Sequence, residues 1–248
     1  MITGIIFDLG GTLLNFEGNL PDVERRGAEN VAAWYIQKKR IKLDAGALAQ
    51  AILTCRRRGM EVARRSQAEF LMRNGILKAL QAVEAPQRAG RFATEATRVF
   101  FEAEEALHRP FPDAVETLKT LHARQIKLGI LSNATDDALI QRLVNRNGLR
   151  PWVSPVFSSA GLGRQKPGAE PFRLIAKRWE MPPAQIAVVG DTPATDILGA
   201  KNAGMRSILI IRSPNQEPVP LPYTSQSPIQ PDDAIHALAE LPGLILGL

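Results

Sequence analysis

The stretch ITGIIFDLGGTLL (residues 2–14) decides the reading. Ile2 to Phe7 is almost continuously apolar and rich in β-branched residues, as expected of a strand covered on both faces. It runs straight into Asp8 and the pair Gly10–Gly11, so a charged side chain and a tight turn sit at its carboxyl end. Four more runs share the pattern: IKLGIL (126–131), VSPVF (153–157), IAVVG (186–190) and SILII (207–211). Between them, residues 113–124, 135–148, 168–181 and 194–204 carry helical spacing. Strands alternating with helices imply a parallel sheet with right-handed crossovers, hence an α/β fold.

Residues 15–110 break the alternation. They hold no convincing strand and read as four helices: one over about 22–41, a second from Asp44 to about 58, a third opening at Ser66, and a fourth after Pro86. Ser66 followed by Glu69 has the form of a capping box. The fourth helix carries Val99, Phe100, Phe101 and Leu107 on its inner side. So much helix cannot lie on the sheet as one crossover, so it is expected to be an inserted bundle, with hinges near 15–20 and 108–112. The expected division is therefore residues 1–14 and 111–248 for the sheet domain and 15–110 for the insertion. Residues 213–231 hold six of the 18 prolines and read as a surface loop; 232–241 resume a helix, and the apolar tail is expected on the sheet edge.

Composition narrows the function. The 248 residues are 45% hydrophobic and 23% charged, which excludes a wholly disordered or fibrous chain. No apolar run approaches the roughly 20 residues of a membrane span, and the amino terminus lacks the pattern of a secretory signal. Cys55 is the only cysteine, so an internal disulfide and a cysteine-based zinc site are excluded and a reducing cytoplasm fits. The net charge of +6 is uneven: residues 15–110 hold 17 Lys/Arg against 12 Asp/Glu. With no nucleic-acid motif alongside, this excess reads as solvated helix faces, and neither nucleic acid nor membrane is an expected partner. Monomer and homodimer are equally compatible with the composition.

Ligands of open parallel sheets bind beyond the carboxyl ends of the strands. The polar residues at those ends form an ordered set: Asp8 in FDLGGTL, Ser132 and Asn133 in ILSNAT, Lys166 in GRQKPG, and Asp191 with Asp196 in VVGDTPATD. An aspartate at one strand end is usually a turn or cap residue. Four such features in order point to chemistry.

On these four motifs, on PDAVETLKTL (112–121) and ILGAKNAG (197–204), and on the long helical insertion, the chain resembles the haloacid dehalogenase-like hydrolase superfamily over essentially its whole length. The resemblance implies a Rossmann-like five-stranded sheet with the first strand between the second and fourth, and an α-helical cap. It implies that Asp8 is the nucleophile, forming an aspartyl-phosphate with a small phosphorylated metabolite. Mg²⁺ would be held by Asp8, the Gly10 carbonyl and Asp191, with Asp196 holding a metal-bound water or orienting Asp191. Lys166, Ser132, Asn133 and Thr12 would serve the phosphoryl group or brace its loop. Three carboxylates balanced by Mg²⁺ and one lysine make a neutral pocket for a phosphate dianion.

One departure stands out. Phosphatases of this superfamily usually carry a second aspartate two residues after the nucleophile, as general acid and then base, and here that position is Gly10. Losing a positioned acid typically costs about 10²–10⁴-fold in rate. Open explanations are a substitute such as His108, a substrate whose leaving group needs no proton, a phosphonate- or haloacid-cleaving reaction, or a weak or inactive protein that binds a phosphorylated ligand. Lys38, Lys39 and Lys42 could serve a Schiff-base route, although KKRIK looks like a solvated face. His122, His236 and Cys55 show no catalytic context.

Overall fold

The computed structural model describes residues 1–66, 68–85, 92–212 and 229–246. The segments 86–91 and 213–228, and with them most of the proline-rich stretch, lie outside the described residues. The chain divides into two compact units. One comprises Met1–Phe16, Arg109–Asn133 and Val144–Leu248, the other Glu17–His108 and Ala134–Leu143.

The first unit holds a parallel sheet of β1 (Gly4–Phe7), β4 (Lys127–Ser132), β5 (Val156–Ser158), β6 (Ile186–Gly190), β7 (Arg206–Ile210) and β8 (Asp233–Ile235), in the order β5-β4-β1-β6-β7-β8. β1 is central, with Phe7 level with Ile130 of β4 and with Val189 of β6. That register brings the residues following all three strands to one end of the sheet. Helices α8 (Ala169–Trp179) and α9 (Leu198–Ala203) cover one face, where Phe172, Ile175, Trp179, Ala200 and Ala203 close on Ile6, Leu131 and Val188. Helix α5 (Ala114–Ala123) packs instead against the carboxyl-terminal segment, which ends in α10 (Leu241–Leu246). β2 (Leu14–Phe16) and β3 (His108–Pro110) form a separate two-stranded ladder.

One expectation is extended and another corrected in this unit. The sheet has six strands, and residues 232–241 form β8 and a single 3₁₀ turn (Leu238–Glu240) in place of a helix. Asp232 explains the change: its carboxylate takes Ser207 N at 2.8 Å and Ser207 Oγ at 2.7 Å, pinning the chain alongside β7. Arg206 then grips Asp233 at 2.6 Å across the new pair. Local propensity yields to strand pairing.

The second unit is helical: α1 (Leu20–Lys39), α2 (Ala45–Ser66), α3 (Met72–Ala82), α4 (Ala93–Glu105) and the first part of α6 (Asp137–Arg146). Asn19 caps α1 by accepting from Asp22 N at 3.1 Å, and Pro21 sits in its first turn. The expected start of a helix at Ser66 is also corrected: α2 runs on to Ser66, and α3 opens at Met72 without a side-chain cap. Within α2, past the expected end near 58, Gly59 gives room to the ring of Phe70, which a Cβ would meet at 2.2 Å. Among the described residues no helix is long and apolar enough to cross a membrane.

Candidate active site

Asp8 follows β1 directly and is anchored by its own backbone, whose N–H donates to Val189 O at 2.9 Å. The chain then closes a tight turn: the N–H groups of Leu13 and Leu14 both donate to Leu9 O, and Gly11 N donates to Leu14 O. Gly11 has φ +72°, and a Cβ there would lie 2.2 Å from an oxygen of Asp191, so turn and neighbour both require glycine. Gly10 is different. Its φ is ordinary and a Cβ would meet nothing within 4 Å, so the missing side chain is a loss of chemistry and not a demand of packing.

Lys166 arrives from the loop before α8. Its side chain is buried, with Nζ 2.7 Å from Asp8 Oδ1 and 2.6 Å from Asp196 Oδ1. Asn133 holds the backbone of that lysine: its Nδ2 donates to Lys166 O and its Oδ1 accepts from Lys166 N, both at 2.9 Å. The side-chain amide expected at the phosphoryl group is thus engaged in placing Lys166. Ser132, the last residue of β4, is buried at the same strand end.

Asp196 belongs to a π-helical turn, Pro193–Ile197, that replaces the start of the expected helix. Such turns redirect side chains at functional sites, and this one buries Asp196 completely. One oxygen meets Lys166 and the other accepts from Thr192 N at 3.1 Å. Asp191 is only partly buried, with Thr192 Oγ1 3.3 Å from Oδ1. One carboxylate oxygen from each of Asp8, Asp191 and Asp196 lies within 4.8 Å of the others.

The electrostatics follow from that crowding. Burial pushes the Asp8 carboxyl up to about 7; Lys166 pulls it back, while Asp196 and Asp191 push it further. Asp191 is raised too, by burial and then by Asp196. Burial opposes the charge on Lys166, but Asp196 and Asp8 outweigh it and hold the lysine protonated, above its ordinary range. Three carboxylates against one ammonium leave two negative charges in excess. Hard oxygen donors with that excess fit one divalent cation such as Mg²⁺, with Asp8 and Asp191 as the side chains free to meet it.

The remaining candidates have surroundings of their own. Thr12 is fully buried, and its hydroxyl has no partner among the described residues; the loop is braced through its carbonyl, which accepts from Arg212 Nη2 at 2.7 Å. His108 sets Nδ1 3.0 Å from Glu104 O, and burial lowers its pKa, which disfavours it as an acid near neutrality. Lys38 lies 3.7 Å from Glu95, and Lys39 sits over the Phe92 ring. Cys55 is half-buried, and its neighbour Arg56 turns to Glu24 at 2.7 Å. His122 packs edge-on to Trp152. Sequence reasoning missed Arg212 and its partner Asp113, although Arg212 obeys the same rule as the others, a polar residue just past the carboxyl end of a strand.

A central strand ending in a largely buried carboxylate, gripped by a lysine and flanked by two more aspartates, forms a compact charged cluster at the carboxyl end of a Rossmann-like sheet. The family profile of the haloacid dehalogenase-like hydrolases matches residues 2–204, and the chain belongs to that family. It is 26% identical to a glyceraldehyde 3-phosphate phosphatase of Methanocaldococcus jannaschii over all of this chain and 99% of that one. It is 24% identical to a phosphoglycolate phosphatase of Pseudomonas fluorescens over 97% of this chain and 79% of that one. A glyceraldehyde 3-phosphate phosphatase of Methanothermobacter thermautotrophicus is 35% identical, with the match spanning 42% of this chain and somewhat under half (46%) of that relative. Among solved structures, a 2-haloacid dehalogenase from Pseudomonas syringae aligns with a TM-score of 0.70 and 26% identity over 100% of this chain and 99% of the other.

Proposed function

We propose that this hydrolase is a Mg²⁺-dependent phosphatase of small phosphorylated metabolites, working in the cytoplasm through an aspartyl-phosphate on Asp8. The observation that carries the reading is the charge excess at Asp8, Asp191, Asp196 and Lys166, which suits a divalent cation and then a phosphate dianion. Phosphatases of small phosphorylated sugars and acids among its relatives support it.

Asp8 attacks phosphorus, and the bond to the substrate's ester oxygen breaks as the oxygen–phosphorus bond to Asp8 forms. Lys166, 2.7 Å from the attacking carboxylate, would also meet the phosphoryl oxygens and offset negative charge that builds on them. Asp196, held by Thr192 N and fully buried, keeps that lysine charged and aimed. Asn133 fixes the lysine's backbone, and Ser132 offers a hydroxyl to a phosphoryl oxygen. Mg²⁺, held by Asp8, the Gly10 carbonyl and Asp191, would supply electrostatic stabilisation of the same oxygens when bound. Gly10 offers no proton to the departing oxygen. The reading therefore favours substrates with weakly basic leaving groups, such as acyl phosphates, and the helical insertion 15–110 acts as the cap that selects among them.

Phosphate release from a panel of phosphorylated metabolites, with Mg²⁺ and with chelator, tests the reading. Metal-dependent release, abolished in Asp8→Asn, is expected; binding of phosphate without turnover on any substrate would instead indicate a ligand-binding protein. A second reading is favoured by the dehalogenase neighbour and by Gly10: attack of Asp8 on a carbon bearing halogen, with no acid needed. Halide release from a 2-chloro acid in the presence of chelator would establish it, because attack on carbon leaves no task for the acidic cluster.

A further inference from the structure

Arg212 lies two residues past β7 and is only 13% exposed at its side chain. Its Nη1 is 3.2 Å from both oxygens of Asp113, its Nη2 donates to Thr12 O at 2.7 Å, and its guanidinium stacks over the Phe111 ring at 3.9 Å. Asp113 is locked in turn by Leu238 N, which donates to Oδ2 at 2.6 Å, and Phe111 N donates to Leu13 O at 3.0 Å. One guanidinium thus ties the loop after β1 to the start of α5 and to the end of β7. The charge of Asp191 also reaches it.

We propose that Arg212, held by Asp113, is a positioning residue for the reaction: it clamps the Thr12 carbonyl and so fixes the turn that presents Asp8 and the Gly10 carbonyl. This rests on the phosphatase reading above. The turn is closed by backbone bonds but gains little from its own side chains, since Gly10 and Gly11 contribute none and the Thr12 hydroxyl makes no bond among the described residues. Only a planar fork can take a carboxylate with one nitrogen and a carbonyl with another while lying flat on a ring; a lysine would keep the charge and lose the second bond. A displacement of about 1 Å at such a turn is enough to cost roughly 10²-fold in rate, and residues supporting metal ligands are typically worth about 10–100-fold in metal affinity.

The test compares the parent with Arg212→Lys, Arg212→Met and Asp113→Asn. Mg²⁺ binding to the resting protein is measured by calorimetry, unfolding by urea, and phosphate release with p-nitrophenyl phosphate. Arg212→Met is expected to weaken Mg²⁺ binding about 10-fold and lower kcat roughly 10²-fold, with KM changed by no more than about twofold. Arg212→Lys should recover only part of the loss. Asp113→Asn, which keeps the bond to Thr12 and loosens its lock, should move both readouts in the same direction by less, and it decides the matter if Arg212→Met fails to fold. Variants that unfold earlier in urea yet bind Mg²⁺ and turn over like the parent would overturn the proposal and leave a stability staple. If the parent releases no phosphate, the phosphatase reading fails while the calorimetry still judges Arg212: equal affinity in parent and Arg212→Lys rejects it. A parent that binds no Mg²⁺ rejects both.

Discussion

Replacing Gly10 by aspartate restores a general acid in a place that is already vacant. A Cβ at position 10 would meet nothing within 4 Å, and the backbone there is not left-handed, so a side chain can begin there without strain. Its cost is electrostatic, because a fourth carboxylate joins three that share one lysine. The gain depends on the leaving group. An alkyl ester departs as a strong base and profits fully from a positioned acid, about 10²–10⁴-fold, or roughly 3–5 kcal/mol off the barrier. Acetyl phosphate departs as a weak base and profits little. With Mg²⁺ saturating, Gly10→Asp should therefore raise kcat for glycerol phosphate at least tenfold more than for acetyl phosphate, while Gly10→Asn, alike in shape but without the proton, should raise neither. Both rates are followed as phosphate release over a range of pH. Equal changes on the two substrates would refute the reasoning and show that another group already supplies the proton.

Asp8→Asn should abolish turnover with the fold intact, as judged by circular dichroism, because the amide keeps the shape and loses the nucleophile. Lys166→Met strands Asp8 and the fully buried Asp196 without their cation; removing one partner of a buried ion pair typically costs about 3–5 kcal/mol, read as a lower urea midpoint that Mg²⁺ partly restores. Glu104 in α4 is pushed by burial up to about 7 from 4.5, with Arg56 opposing and Glu24 adding to the rise. Its folded pKa lies above its unfolded one, so its contribution is complete below pH about 4.5 and is lost as pH rises through about 7. Over that window the protein should lose up to roughly 3 kcal/mol, and Glu104→Gln should flatten the dependence of urea stability on pH; an unchanged slope would contradict the burial argument.

The alternation of apolar runs with helical spacing was enough to establish an α/β sheet, because a strand buried on both faces must be written in apolar residues whatever surrounds it; the place of β1 at its centre followed only from the family resemblance. The chemistry at the strand ends was legible for a related reason. Charged side chains cannot be hidden inside those runs, so Asp8 and Asp191 stand out where a run stops, with Lys166 and Asp196 in the turns beyond. Residues 232–241 were misread because their outcome depends on a distant partner, Ser207, which holds β8 alongside β7; α2 continues past position 58 with the Phe70 ring lying against Gly59.

What residue order determined alone was therefore the set of candidate site residues and the layer that carries them; their names and spacing are local properties. Tertiary structure decided how they divide the work. Asn133 serves the backbone of Lys166, Asp196 serves its ammonium, and Arg212 reaches Thr12 across 200 positions of sequence. Hydrogen bonds of that span are set by the register of β1 against its neighbours and by the π-helical turn after β6, and no local pattern encodes either.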